Sequence, residues 1–152
     1  MVVRLQAEQV ESYAYQLKKY SFLRVLELSN IKKLLFLGEY FHLPSGYILI
    51  KQGEKSGDFF IILKGELIAS KQTTPDSCPI EIARIPQNNT VGEIGCILNE
   101  ARTSTVTSNK NTHVLRYDND TFNVILNTIP QFRRALFMDL AKRLEECYTR
   151  QH

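Results

Sequence analysis

The 152 residues, 43% hydrophobic and 23% charged, suffice for one compact domain with a real core. A formal charge of +3 does not require nucleic acid or an anionic membrane surface as partner, and no stretch approaches the roughly 20 apolar residues of a spanning helix. Three widely spaced cysteines, Cys78, Cys96 and Cys147, fit neither a disulfide framework nor a Cys-x-x-Cys metal pattern, so reduced thiols and a cytoplasmic location are expected.

Arg4, Glu8 and Glu11 interrupt the N-terminus, which lacks the apolar run of a signal peptide. From about Gln6 to Leu28, Val10, Tyr13, Ala14, Leu17, Tyr20, Phe22, Leu23, Val25 and Leu26 recur at helical spacing, which predicts two helical pieces broken near Ser21. Ser29 and Asn30 read as an N-cap for a further helix over IKKLLFLGEY, ending where Leu43-Pro44-Ser45-Gly46 turns the chain. After Gly46, β-rich runs alternate with turn residues: YILIK, QGEKSG, DFFIILK, GELIASK, the loop TTPDSCP, IEIARI, the break PQNNT, then TSTVTSN and THVLRY. Short strands at this spacing predict a roll or sandwich.

Helix returns with Asp118 or Asp120 as the cap of TFNVILNTI and with Pro130 in the first turn of a last helix. There Phe132, Leu136, Leu140, Leu144 and Tyr148 recur every four residues. Such a stripe suits core packing, the covering of a ligand, or pairing with a copy of itself as a homodimer. The expectation is a single domain over 1–152, with N-terminal helices over 1–43, a roll over 44–117 and C-terminal helices over 118–152.

One connection, Val91 to Val106, carries unusual chemistry. Gly92 and Gly95 bracket Glu93, which lets backbone approach a ligand and lets amides at the start of a short helix face an anion. Arg102 supplies a permanently charged fork for two phosphate oxygens, and Thr103 and Ser104 add hydroxyls. Glu93 would be repelled by the same anion, and its suitable neutral partner is a sugar hydroxyl. An anion binder beside a hydroxyl binder suits a nucleotide. The same residue types suit an internal Glu93–Arg102 ion pair.

The run from Gly92 to Val106, Gly-Glu-Ile-Gly-Cys-Ile-Leu-Asn-Glu-Ala-Arg-Thr-Ser-Thr-Val, resembles the phosphate-binding cassette of cyclic-nucleotide-binding domains. That family includes bacterial catabolite activators, protein kinase regulatory subunits and nucleotide-gated channels. Upstream, Gly46 to Gly53 followed by Gly57-Asp58 to Gly65-Glu66 is similar to the family's other glycine pattern, which shapes the hairpins of its roll. The resemblance covers roughly Leu17 to Tyr148. It implies an α+β fold, an antiparallel β-roll (a jelly roll, or double-stranded β-helix) flanked by N-terminal helices and two C-terminal helices.

It also implies that Glu93 accepts a bond from the ribose 2′-hydroxyl and that Arg102 pairs with the cyclic phosphate. Backbone around Gly92, Ile94, Gly95 and Cys96, and at Thr103, would complete the cradle, with Thr103 and Ser104 reaching the purine or the phosphate. The ligand would be cyclic AMP in preference to cyclic GMP, without a further cofactor. Ala101 stands where many members have proline, which removes a stiffener and no ligand contact.

The implied role is a non-enzymatic sensor in which the last helix, Pro130 to Arg150, folds over the base and an unidentified downstream protein receives the signal. Arg143 is the candidate base contact. The alternative is the same fold used as a protein interaction domain, holding a cyclic dinucleotide or no ligand. A cupin-like metal enzyme needs clustered histidines, and His42, His113 and His152 stand apart. A DNA-binding regulator is not expected, for lack of a reading helix in this sequence. Cys96 suits either redox control beside phosphate-binding amides or a small buried position.

Overall fold

The computed structural model describes residues 2–151; His152, one of the separated histidines, lies outside them. The first amphipathic run forms α1 (Ala7–Tyr20), which buries Val10, Ala14 and Leu17. Its break falls at Ser21, as the periodicity predicts. The Ser21 hydroxyl donates to the Leu17 carbonyl at 2.6 Å and accepts from the Leu23 amide at 3.0 Å, which starts a 3-10 turn over Phe22–Val25.

The next helix, α2 (Leu28–Leu37), starts and stops earlier than expected. Glu27 is its N-cap, so Ser29 and Asn30 lie inside its first turn, and Gly38 ends it. Glu39–Leu43, expected as helix over its first residues, is instead strand β1. The reason is a close approach: a Cβ on Gly38 would stand 2.9 Å from side-chain atoms of Leu115 and Tyr117, so only glycine lets the chain turn against them. From there the backbone continues as strand.

The β-rich runs become β2 (Ile48–Ile50), β3 (Phe59–Lys64), β4 (Glu66–Lys71), β5 (Ile80–Pro86), β6 (Thr90–Val91), β7 (Thr105–Ser108) and β8 (Thr112–Tyr117). Between β6 and β7 lies the short helix α3 (Glu93–Leu98), and the chain closes with α4 (Asn119–Thr128) and α5 (Pro130–Gln151). Asp118 caps α4 by accepting from the Thr121 amide at 2.8 Å, and Pro130 is the first residue of α5. The strands form two antiparallel sheets, in the orders β1-β8-β3-β6 and β2-β7-β4-β5. This is a β-roll with helices at both ends of the chain.

The roll has an inside and a back, and β3 serves both. Phe60 and Ile62 point between the sheets to meet Leu43, Ile50, Leu67, Ala69, Val106 and Val114. Phe59, Ile61 and Leu63 point the other way, into the helical layer. There Phe59 packs against Phe122 and Phe132 at centroid distances of 5.2 and 6.1 Å. The Tyr117 hydroxyl, buried in the same layer, donates to the Leu34 carbonyl at 2.7 Å.

The four-residue stripe of α5 does not stay in that core. Phe132 and Leu136 are buried and Leu140 is partly buried, but Leu144 and Tyr148 are exposed. With 3.6 residues per turn, a row of every fourth residue drifts by about 40° per step. Five such residues therefore wind from the core side of the helix into solvent.

Candidate functional site

Gly92 precedes α3 in the left-handed region, at φ 92°. A Cβ there would also approach the Asp58 carbonyl oxygen to 2.5 Å, so both conformation and space call for glycine. Asn99 closes α3, again left-handed at φ 53°, and swings the chain back toward Arg102. Arg102 is then held at its own backbone by the upstream glycine loop. Its amide donates to the Glu54 carbonyl and its carbonyl accepts from the Gly53 amide, both at 2.8 Å. The two motifs separated in the sequence thus meet at one residue.

The Arg102 side chain is only 7% exposed. Nη1 donates to the Gly92 carbonyl at 3.0 Å and Nη2 to the Asp58 carbonyl at 2.6 Å, while Nε is buried without a hydrogen-bond partner in the protein. The Asp58 carboxylate faces elsewhere, toward Arg116 at 2.9 Å, and Arg116 also pairs with Glu39 at 2.9 Å.

Glu93 is 5% exposed and is paired not with Arg102 but with Arg143 of α5, Oε1 to Nη1, at 3.0 Å. Asp139 fixes the same guanidinium from one turn earlier, accepting from Nε at 2.9 Å. The second carboxylate oxygen, Oε2, is buried without a partner in the protein. Burial pushes the Glu93 carboxyl above the ordinary glutamate range, against the opposing pull of its own backbone amide and of Arg143.

A cavity of about 210 Å³ opens over these groups. Of the residues expected at the site, Gly92, Glu93, Ile94, Gly95, Arg102, Thr103 and Ser104 line it, with Ile50 and Val106 of the roll interior as an apolar floor. Cys96 does not. Its amide is spent on the Gly92 carbonyl at 3.2 Å, and its thiol donates to the Gly57 carbonyl at 2.7 Å. Burial pushes that thiol up to about 12, against the pull of the Arg102 guanidinium, which disfavours the thiolate and suits a packed, small side chain.

A second cavity continues from Glu93 beneath α5, lined by Arg84, Thr90, Glu93, Arg143, Glu146 and Cys147 among others. Thr90 Oγ1 is buried there without a partner in the protein. Sequence reasoning missed Thr90, Arg84 and the role of Asp58, whose carbonyl rather than carboxylate serves Arg102. Only the Gly57-Asp58 pair at the head of a strand hinted at the last.

The histidines, separate along the chain, are not all separate in space. His42 and His113 are cross-strand partners of β1 and β8, and their rings stack at a 4.5 Å centroid distance with planes 6° apart. Parallel rings hold their in-plane lone pairs apart, and among the described residues no group of three or more histidine, cysteine or acidic side chains is placed to hold a metal. Among the same residues no helix is long and apolar enough to cross a membrane.

Comparison with known proteins shows the family and the fold. A family model for the cyclic nucleotide-binding domain matches residues 40–128, more than half of the chain. The cAMP-dependent protein kinase regulatory subunit of Dictyostelium discoideum is 27% identical over 124 residues, covering 80% of this chain and 38% of that protein. Human cGMP-dependent protein kinase 2 is 25% identical over 127 residues, covering 83% of this chain and 17% of that one. The chain thus spans well under half the length of either relative. A solved cyclic nucleotide-binding domain from Methylobacillus flagellatus superposes with a TM-score of 0.77 at 19% identity, over 94% of this chain and 82% of that one, a likeness of fold.

Proposed function

Because the chain belongs to the cyclic nucleotide-binding domain family, we propose that it binds a purine cyclic nucleotide, cyclic AMP in preference to cyclic GMP, and reports it by moving α5. The observation that carries this reading is a pair of orphaned atoms at one cavity. Glu93 Oε2 is a buried acceptor and Arg102 Nε a buried donor, and neither has a partner in the protein. Leaving such groups unpaired costs about 1–3 kcal/mol each, more for charged ones. A ligand that brings a hydroxyl to the first and an anionic oxygen to the second relieves both.

In this reading the ribose 2′-hydroxyl donates to Glu93. The cyclic phosphate draws the Arg102 guanidinium away from the Gly92 and Asp58 carbonyls, and the amides of Gly95 and Thr103 complete the cradle. The base then lies toward the cavity beneath α5, where Arg143 contacts it and Ser104 or Thr103 reaches it from the roll. Affinity for the arrangement in which α5 covers the base sets how far the ligand shifts the helix. The domain is regulatory rather than catalytic, works in the cytoplasm, and passes its signal to a downstream protein.

A second reading draws on the same guanidinium. Two Arg102 nitrogens already have carbonyl partners and Glu93 already has Arg143. A cassette so occupied suits an interaction domain that needs no ligand, or one built for a cyclic dinucleotide.

Calorimetric titration with cyclic AMP and cyclic GMP separates the two. Saturable binding is expected, with Arg102→Ala losing roughly 2–5 kcal/mol as a buried charge pair is broken. Absence of saturable binding of either nucleotide at millimolar concentration overturns the sensor reading in favour of the second.

A further inference from the structure

An exposed thiol stands on the wall of the cavity beneath α5. Cys147 follows Arg143 by one helical turn and lines that cavity, of about 500 Å³, together with Arg84, Thr90, Glu93 and Arg143. The other two cysteines are placed differently: Cys96 is buried, and Cys78 is exposed in the loop between β4 and β5, outside the cavity. What sets Cys147 apart is its company. Thr90 Oγ1 and Glu93 Oε2, which belong to the same cavity, are buried without a partner in the protein, and their residues are 4% and 5% exposed.

These orphans select the chemistry of an adduct. A peptide joined to the thiol brings an N–H for the Glu93 carboxylate oxygen and a C=O for the Thr90 hydroxyl, whereas an oxygen atom added to the sulfur brings no amide. Carboxylates of the same peptide suit the two guanidiniums. Each guanidinium carries more N–H donors than the three hydrogen bonds it makes inside the protein, Arg84 to Glu81 and Glu66, and Arg143 to Asp139 and Glu93. Their side chains are 55% and 44% exposed, so the spare donors are within reach of a ligand.

We propose that Cys147 is a site of reversible mixed-disulfide formation with a small cysteine-containing peptide held in the cavity beneath α5, and that the adduct excludes the nucleotide base; the exclusion rests on the sensor reading above. The chemistry is thiol–disulfide exchange. The Cys147 thiolate attacks one sulfur of a low-mass disulfide, the new Sγ–S bond forms as the old S–S bond breaks, and the departing half leaves as a thiolate that takes up the proton Cys147 gave to solvent. The Cys147 sulfur is oxidised and the departing sulfur reduced, so the disulfide is the only oxidant required. An excess of low-mass thiol runs the exchange backwards.

Glutathione disulfide is the probe, applied at about 1 mM and neutral pH to the full 152-residue chain, with the adduct located by peptide mass spectrometry. Cys147 should be modified at least about fivefold faster than Cys78, Arg84→Ala should lower that preference, and the amide resonances of Thr90 and Glu93 should shift with the adduct. Calorimetry should then show cyclic AMP affinity reduced at least about tenfold by the adduct and restored by dithiothreitol, an effect absent when the Cys147→Ser variant is treated in the same way. Equal modification of Cys78 and Cys147, a preference untouched by Arg84→Ala, or unmoved Thr90 and Glu93 resonances overturns the site, whether or not the chain binds nucleotide. Unchanged cyclic AMP affinity in the adduct overturns the exclusion. A reduced chain that binds neither nucleotide overturns the sensor reading and the exclusion with it, the site itself being decided by the first measurement.

Discussion

Arg143 Nη1 lies 3.0 Å from Glu93 Oε1, across 50 residues of chain, and so ties the last helix to the short helix of the site. Its partner carboxylate is nearly inaccessible, whereas Arg143 is close to half exposed at its side chain, so the pair costs more to break from one end than from the other. Removing the arginine strands a buried charge. Removing the glutamate leaves a half-exposed cation that Asp139 still holds.

Arg143→Leu should therefore raise the Glu93 carboxyl further above its already elevated position. Carbon-13 side-chain NMR during a pH titration reads this directly. Hydrogen exchange of amides beyond Arg143 should quicken in the same variant, as the tether between α5 and the site is lost. An unshifted carboxyl titration would mean that the ion pair is not the feature holding Glu93 ionised.

The pH response follows from the same carboxyl. Its value in the folded chain is raised by burial, so on acidification Glu93 takes up its proton before an ordinary glutamate near 4.3 does. A protonated carboxyl is a poor acceptor for a sugar hydroxyl, and nucleotide affinity should fall as pH drops through that raised value. Stability moves in the opposite sense. A raised folded value means the native state binds more protons than the unfolded one in this window, so this group's contribution is fully present below the unfolded value and is lost as pH rises through the folded one. Titration calorimetry and denaturant melts across pH 4 to 7 check both signs, and Glu93→Gln should flatten both.

Gly95 owes its identity to Arg102. An added Cβ would overlap Nη1, and would press on Cζ at 2.7 Å, so the guanidinium must leave its place. Gly95→Ala should keep the fold, because the obstructing atoms are the tip of a flexible side chain, yet cost nucleotide affinity at least about tenfold, equal to roughly 1.4 kcal/mol. Isothermal titration beside a thermal melt distinguishes the two effects. A variant that binds normally would mean that the position of Arg102 is not what the ligand requires.

Thiol chemistry should divide the cysteines. Cys78 and Cys147 are exposed, whereas Cys96 is buried, donates to the Gly57 carbonyl and has its thiol pushed up to about 12. Ellman's reagent at neutral pH should modify two thiols quickly and the third only on unfolding. Fast reaction of all three would revive redox control at Cys96.

Much of the fold is legible because its signals are local. The β-branched runs separated by glycine and asparagine, the hydroxyl of Ser21, the cap at Asp118 and Pro130 at a helix start each act within a few residues. The error at Glu39–Leu43 arose where a local signal was overruled: the helical period from Ile31 runs smoothly past Gly38, and the need for glycine there comes from Leu115 and Tyr117, far along the chain. The stripe of α5 is core packing only over its first turns, since even spacing of four is not a constant face. At the site, the residue types of Glu93 and Arg102 announced an acceptor and a fork, and both reach the cavity. That Glu93 pairs with Arg143 rather than Arg102 was beyond the sequence, because a solvated helix face accounts equally well for an isolated arginine.

The double duty of β3 bears on how the domain comes apart. Phe59, Ile61 and Leu63 belong to the helical layer, and Phe60 and Ile62 to the interior of the roll, so one strand is wall to both. Neither half can melt while the other persists without stripping β3 of one of its faces. Unfolding should therefore be a single cooperative event, with the amides of Phe59 to Leu63 among the last to exchange with solvent. An excised roll lacking its helices would present three large apolar side chains to water and would be expected to aggregate rather than to survive as a smaller domain.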